Sequence, residues 1–129
     1  ALNCTVGSLV DDPVGPTAPT VAADQRPKID RLRSGVTIES LTYPDIHKSM
    51  EPLLIVLDPG ANSGPESYQH RGEEFIFVIG GRLLLQLNGE EYPLEEGGSA
   101  YFDSSRPHRF ANPGTEKTFA LWVITPPSF

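Results

Sequence analysis

An all-β fold, an antiparallel sandwich or barrel, is what this sequence predicts, and three observations carry the expectation. From Gly35 onward, short apolar or alternating runs recur at regular intervals. They are separated by turn signals: Asp58-Pro59-Gly60, Gly80-Gly81, Asn88-Gly89, Gly97-Gly98 and Asn112-Pro113-Gly114. No window among them keeps the 3.6-residue apolar period of a helix. Short, evenly spaced strands without intervening helices bury their apolar faces by stacking two sheets or closing one.

The elements follow in chain order. Leu2, Val6 and Leu9 recur at helical spacing, and Asp11 and Pro13 stop the pattern, which predicts a short helix over 1–10. So short a helix is not stable alone, which leaves two readings, the end of a helical unit lying upstream or a frayed N-terminal tail. The chain opens without Met, in keeping with the first. Residues 11–33 carry Pro13, Gly15, Pro16, Pro19 and Pro27 among small and polar residues, the composition of an extended, semi-rigid linker. The barrel domain is expected over 34–129. Val36, Ile38 and Ser40 alternate with Thr37, Glu39 and Leu41; continuous apolar runs follow at 53–57 and 75–79. The run 83–87 leads into Asn88-Gly89, a strong hairpin signal, and 90–94 returns. Ala100-Tyr101-Phe102 and the segment before Asn112 are further strands, and 119–124 is the last before Pro126-Pro127.

Composition narrows the function classes. At 129 residues the chain is one domain plus an appendage, and its 38% apolar content is ordinary for a globular protein. No apolar run approaches the ~20 residues of a membrane helix, and nothing at the start resembles a signal peptide. Cys4 is the single cysteine, which rules out an internal disulfide framework and fits a reducing, cytoplasmic setting. Cys4 itself reads as a small buried apolar residue. The formal charge of −7 argues against these residues gripping nucleic acid, since phosphate binding needs clustered Lys and Arg.

The chemistry concentrates in Tyr68-Gln69-His70-Arg71-Gly72-Glu73-Glu74 and Pro107-His108-Arg109-Phe110. Residues two apart on a strand share a face, so Tyr68 and His70 are expected to point into one space. Glu74 shares a face with Ile76 and Val78, which directs it inward and Glu73 to solvent. His108 comes from a distant strand. His70, Glu74 and His108 together make two imidazoles and one carboxylate, a donor set for non-haem iron or zinc that leaves coordination positions open. Tyr68 reads as a hydrogen-bonding group for a ligand or water above the site, because an ordinary phenol with a pKa near 10 is a poor metal ligand at neutral pH. Phe110, Tyr101 and Trp122 are candidates either to line an apolar effector pocket or to serve as ordinary core packing, Phe110 with the better claim to the pocket since it shares the face of His108. His47 reads as a surface residue in a polar loop, and Arg82 and Arg109 as solvated arginines beside turns.

On these residues the segment from Gly60 to Asn112 resembles a cupin domain. His70, Glu74 and Gly81 match the family's first motif, with Tyr68 in place of its first histidine. Gly98, Pro107, His108 and Asn112 match the second loosely, with the proline directly beside the histidine. The resemblance implies a double-stranded β-helix, the cupin jelly-roll barrel, and a single divalent metal (zinc, iron or nickel) held by His70, Glu74 and His108. A narrower resemblance takes in the whole chain. Bacterial regulators of the XRE type join an N-terminal helix-turn-helix domain to a C-terminal cupin, with segments similar to residues 1–9, to Met50-Glu51-Pro52-Leu53, to His70-Arg71-Gly72-Glu73-Glu74-Phe75 and to the closing Thr125-Pro126-Pro127-Ser128-Phe129. It implies that 1–10 ends a truncated DNA-binding domain and that the barrel senses a small-molecule effector. It further implies DNA bound through the upstream domain and a homodimer paired through strand edges. Oxygenases and epoxidases with the same layout hold iron with two histidines and a glutamate, so an enzyme is the rival reading, and a metal-free binding cupin the third.

Overall fold

The computed structural model of the chain describes residues 19–29, 33–44 and 47–127. The helix expected over 1–10, Cys4 and much of the expected linker lie outside the described residues. Among the described residues nine strands make up the body of the fold: β1 (Lys28–Ile29), β2 (Val36–Ser40), β3 (Glu51–Leu57), β4 (Glu73–Gly80), β5 (Leu83–Leu87), β6 (Glu90–Leu94), β7 (Ser99–Asp103), β8 (His108–Ala111) and β9 (Thr118–Thr125). They form a six-stranded sheet in the order β1-β2-β3-β9-β4-β7 and a three-stranded sheet in the order β6-β5-β8. Every pairing is antiparallel. The consecutive strands β4 and β5 pair with β7 and β8, while β3 pairs with β9, so the chain doubles back and winds as a pair of strands. That is the double-stranded β-helix, an all-β jelly roll.

Alternation builds the core. In β3 and β5 every second residue is buried, putting Leu53, Ile55, Leu57, Leu83 and Leu85 between the sheets at 2% exposure or less. Ile76, Val78, Phe102, Phe110 and Trp122 join them from the remaining strands. Full burial of such side chains stabilises by about 1.5–3 kcal/mol each before chain entropy is charged against it.

Two turns fix the register that the site needs. The β5–β6 hairpin turns at Asn88 (φ 53°) and Gly89 (φ 83°), the paired positive dihedrals of a type I′ turn. Gly72 adopts φ 119°, and a Cβ there would sit 1.7 Å from the Thr125 carbonyl oxygen. Only glycine lets the loop before β4 pass this close to the end of β9. The stretch read as linker ends docked to the barrel: β1 pairs with β2, and Arg26 Nε donates to Glu39 Oε1 at 2.8 Å. Among the described residues no helix is long and apolar enough to cross a membrane.

Candidate metal centre

Three elements bring the candidate ligands together. Glu74 stands on the inward face of β4 and is 3% exposed; His108 opens β8 and is fully buried. Tyr68 does not lie on a continuous strand with His70. It forms an isolated bridge with His108, through reciprocal backbone hydrogen bonds of 3.0 and 2.9 Å, and His70 N–H then donates to the Ser104 carbonyl. The loop therefore bends at Gly72, and His70 reaches back over Glu74. The candidate ligand atoms of His70, Glu74 and His108 all lie within 4.8 Å of one another. Glu74 Oε2 is 2.8 Å from His70 Nε2 and 3.0 Å from His108 Nε2. Such separations suit neighbouring donors around one ion at the ~2.0–2.2 Å bonds that imidazole and carboxylate make.

The backbone decides which imidazole nitrogens face inward. His108 Nδ1 lies 2.7 Å from the Arg106 carbonyl oxygen, and His70 Nδ1 lies 3.1 Å from that of Arg71. A carbonyl only accepts, so His108 Nδ1 carries a proton and its neutral ring turns an Nε2 lone pair on Glu74. His70 lies between two acceptors, the Arg71 carbonyl and Glu74 Oε2 at 2.8 Å, and a neutral ring has one proton for the two. Lone pairs and an anion converge on one point. Only positive charge between them, as added protons or a metal ion, relieves the repulsion. His108 Nε2 is buried and has no aligned hydrogen-bond partner despite its close approach to Glu74. The donor set therefore fits a divalent cation, with each second ring nitrogen held by an outer carbonyl as metal-bound histidines require. Glu74 is held from its other side, where Trp122 Nε1–H donates to Oε1 at 2.7 Å.

The fold and this geometry place the chain among known proteins. The family model described as "Cupin domain" matches residues 53–124. The chain belongs to the cupin family. Over 125 residues it is 26% identical to the HTH-type transcriptional regulator PuuR of Escherichia coli strain K12, an alignment covering 97% of this chain and 67% of the regulator. Among solved structures, an RmlC-like cupin from Shewanella frigidimarina superposes with a TM-score of 0.72 at 17% identity, covering 86% of this chain and 93% of that one. The Cupin_2 domain of an XRE family transcriptional regulator from Enterobacter cloacae gives a TM-score of 0.63 at 22% identity, covering 74% of this chain and all of that domain. At those identities the two structures establish the cupin barrel itself.

Within this cupin the expected effector residues divide. Tyr68 packs edge-on against His108 with ring centroids 4.7 Å apart, and it is 42% exposed. Crowding around its hydroxyl, then the Glu74 charge, push its phenol well above the ordinary value, so it stays protonated and able to donate. Phe110 and Trp122 are buried in the barrel beside the cluster, with ring centroids 4.8 Å apart, and the indole N–H donates to Glu74. Tyr101 is not brought to the cluster, since it projects from the outer face of β7 and bonds Glu73. Arg109 donates to the Gly64 carbonyl, Arg82 pairs with Glu95 at the surface, and His47 is exposed.

Burial raises the Glu74 pKa, but contact with His108 and the Trp122 hydrogen bond outweigh it and hold the carboxyl below its usual range. Burial likewise opposes charge on His108, and Glu74 with the Arg106 carbonyl outweighs it, raising that imidazole. A second buried carboxylate, Glu51, makes the contrast. Lys48 Nζ and Ser40 Oγ each sit 3.2 Å from it, so its charge is met within the chain. Its neighbouring cavity, of about 460 Å³ and lined also by His47 and Pro127, lies apart from the histidine cluster. Sequence reasoning missed the Arg106 carbonyl and the fully buried Ser104, whose hydroxyl has no protein partner. A backbone carbonyl leaves no signature in a sequence, and one serine among polar turn residues carries none.

Proposed function

We propose that this cupin is the small-molecule-sensing domain of a DNA-binding transcriptional regulator, and that His70, Glu74 and His108 hold one divalent metal at its centre. The observation that carries the regulator reading is the reach of the PuuR alignment. The cupin match begins at residue 53, whereas the likeness to the regulator extends over 97% of the chain, including residues ahead of the barrel. A stand-alone barrel has no reason to share that leading segment. On this reading residues 1–10 end the DNA-binding domain, 11–33 connect it, and 34–129 sense. The acidic chain leaves operator contact to basic residues upstream.

A metal held here would supply a Lewis-acidic point for an effector's oxygen or nitrogen donor. The chain's own residues do the rest. Trp122 and the Arg71 and Arg106 carbonyls fix the ligands, and Tyr68 offers a hydroxyl to an effector acceptor at the exposed side. Effector binding that favours one arrangement of paired barrels would shift operator affinity by the difference in effector affinity between arrangements. Helix-turn-helix units read paired half-sites, so the reading calls for a homodimer.

Metal analysis of protein purified without chelators tests the centre. His70→Ala and His108→Ala should lose the metal and Tyr68→Phe should keep it; equal metal content in all of them would refute the ligand set. For the regulator, the natural gene should encode a basic helix-turn-helix unit ahead of residue 1, and its absence would sink the reading. The two-histidine, one-glutamate donor set also favours an iron oxygenase or epoxidase, which oxygen consumption by iron-loaded protein would reveal. Against it, Tyr68 is held protonated and so is a poor general base.

A further inference from the structure

We infer that the cavity beside Glu51, between β1 and the start of β3, is a second small-molecule site, one that takes a primary ammonium group on a small apolar body. The site begins with an interruption of the core. Inward positions of β3 read Glu51, Leu53, Ile55 and Leu57, and those of β2 end in Ile38 and Ser40. A carboxylate and a hydroxyl, 4% and 5% exposed, thus stand where alternation calls for apolar residues. Packing does not account for Glu51, because a buried ion pair rarely stabilises a fold more than apolar residues of the same volume. Its hydrogen bonds do not account for it either. Lys48 Nζ donates to Thr42 Oγ1, 2.7 Å away, and to the Tyr43 carbonyl, and meets Glu51 as an ion pair at 3.2 Å. Ser40 Oγ has one proton, and the Thr42 carbonyl at 2.6 Å lies closer to it than Glu51 Oε2 at 3.2 Å. Both approaches to Glu51 fall on Oε2, which leaves Oε1 without a donor among the described residues.

The cavity supplies what such a ligand needs. Its volume of about 460 Å³ falls within the ~300–1,000 Å³ of small-molecule sites. Glu51 and Ser40 line it together with Pro27, Ile29, Pro44 and Pro127, so a buried acceptor is joined to stiff apolar walls. A donor complements an unfilled acceptor, and a charged donor makes the stronger bond to a carboxylate. A primary ammonium brings three N–H groups at one end and leaves its carbon chain to the prolines. Of the cations at the border, Lys48 is held by Thr42 and Tyr43, and Lys28 stands opposite Glu39, on the other face of β2 from Ser40. The formal charge of −7 draws cations and repels carboxylates. Register then gives the site its neighbours. Glu51 stands opposite Ile124 on β9, and Ile124 stands opposite Glu74 on β4, so one buried side chain separates the two carboxylates across the sheet. On its other side the cavity meets Pro27 and Ile29, where the segment ahead of the barrel pairs with β2 and Ser40 N–H donates to the Pro27 carbonyl at 2.7 Å. An ammonium held here braces that segment with only β9 between it and the ligand-bearing β4.

Use of the site in sensing rests on the regulator reading; its occupancy does not. NMR titration of the 129-residue chain with butylammonium chloride should give saturable shifts at Ile29, Ser40 and Glu51, with half-saturation at about 1 mM. Butyrate, of opposite charge, should leave those signals in place. Tetramethylammonium, a cation without N–H, should bind more weakly by about tenfold. Glu51→Gln should weaken butylammonium by about tenfold, and a chelator, which strips the metal centre, should leave its affinity unchanged. In the unaltered protein, amide exchange across β1 should slow severalfold with the ligand bound, a readout that no folding defect can mimic. Absence of saturable shifts, shifts confined to His70, Glu74 and His108, affinity lost in chelator, or butyrate bound as tightly as butylammonium would each overturn the site. Metal retained by the chelator-free protein in such a case would leave the candidate metal centre standing, so the two failures are distinguishable.

Discussion

The two faces of β4 and β9 depart from the same rule in opposite directions. An antiparallel sheet with one solvated side normally puts apolar residues in and polar residues out. Here the inner face carries Glu74 at 3% exposure, while the outer face one residue away carries Phe75 at 37%. A buried carboxylate is costly unless charge answers it; Trp122 Nε1–H answers one oxygen of Glu74, and the other faces two imidazole nitrogens that need a proton or a cation between them. An exposed aromatic row is costly unless something covers it. Packing alone explains neither departure; the inner one fits a cation, and among the described residues nothing covers the outer one.

The sharpest way to break the comparison is to neutralise the inner departure. Glu74→Ala removes the one group that both imidazoles and Trp122 address. It should abolish metal binding and cost about 3 kcal/mol in urea denaturation, because it strands buried polar partners. Trp122→Phe is expected to be milder, losing about 2 kcal/mol with the charged hydrogen bond. It should also weaken metal affinity by about 10–100-fold through the loosened carboxylate, as read by competition with a chromophoric chelator. Phe77→Ser on the outer face should change monomer stability by less than about 0.5 kcal/mol and leave metal affinity alone. A large stability loss there would mean that the face is ordinary core.

The outcomes at these positions show what a sequence can carry. The strands, the Asn88-Gly89 turn and the inward direction of Glu74 were legible because period-two alternation and turn chemistry are local. The convergence of His70, Glu74 and His108 was legible only through motif likeness, since β4 and β8 meet by winding rather than by sequence proximity. Tyr101, Phe110 and Trp122 show the limit. An aromatic residue in a strand reads alike whether it lines a pocket, fills a core or faces out, and only the register separates those fates. The pairing of Phe75 with Tyr101 puts Tyr101 outside, while Phe110 and Trp122 pack on each other inside the barrel. The exposed row of β4 was visible as the run 75–79, but a continuous apolar run equally suits a strand buried on both faces.

Acidity separates the faces further. In chelator, the raised His108 contributes stability that is complete below its ordinary 6.5 and is lost as pH rises through its folded value. The lowered Glu74 contributes above its ordinary 4.5 and loses that contribution as pH falls through its folded value. The chelated protein should therefore be most stable between about 4.5 and 6.5 from this pair. A metal must displace the His108 proton, so its affinity should fall as pH drops and begin falling above 6.5, moving the optimum of the loaded protein upward. The centre of the outer row carries no group that titrates in this range. A metal affinity flat across it would remove His108 from the ligand set.

The smallest expected effect is the most informative about Tyr68. Its hydroxyl neither ionises near neutrality nor hydrogen-bonds a ligand residue, and the ring alone packs on His108. Tyr68→Phe keeps that ring and should change stability by less than about 0.5 kcal/mol, with metal content and its pH profile unchanged. If the hydroxyl serves an effector, calorimetric titration with one should show a loss of about 1 kcal/mol, the worth of one neutral hydrogen bond. Should Tyr68→Phe instead lower metal affinity by tenfold or more, the phenol belongs to the ligand shell. The inner face would then carry four donors, and the position where the family's first histidine is expected would have kept that histidine's role under a different residue.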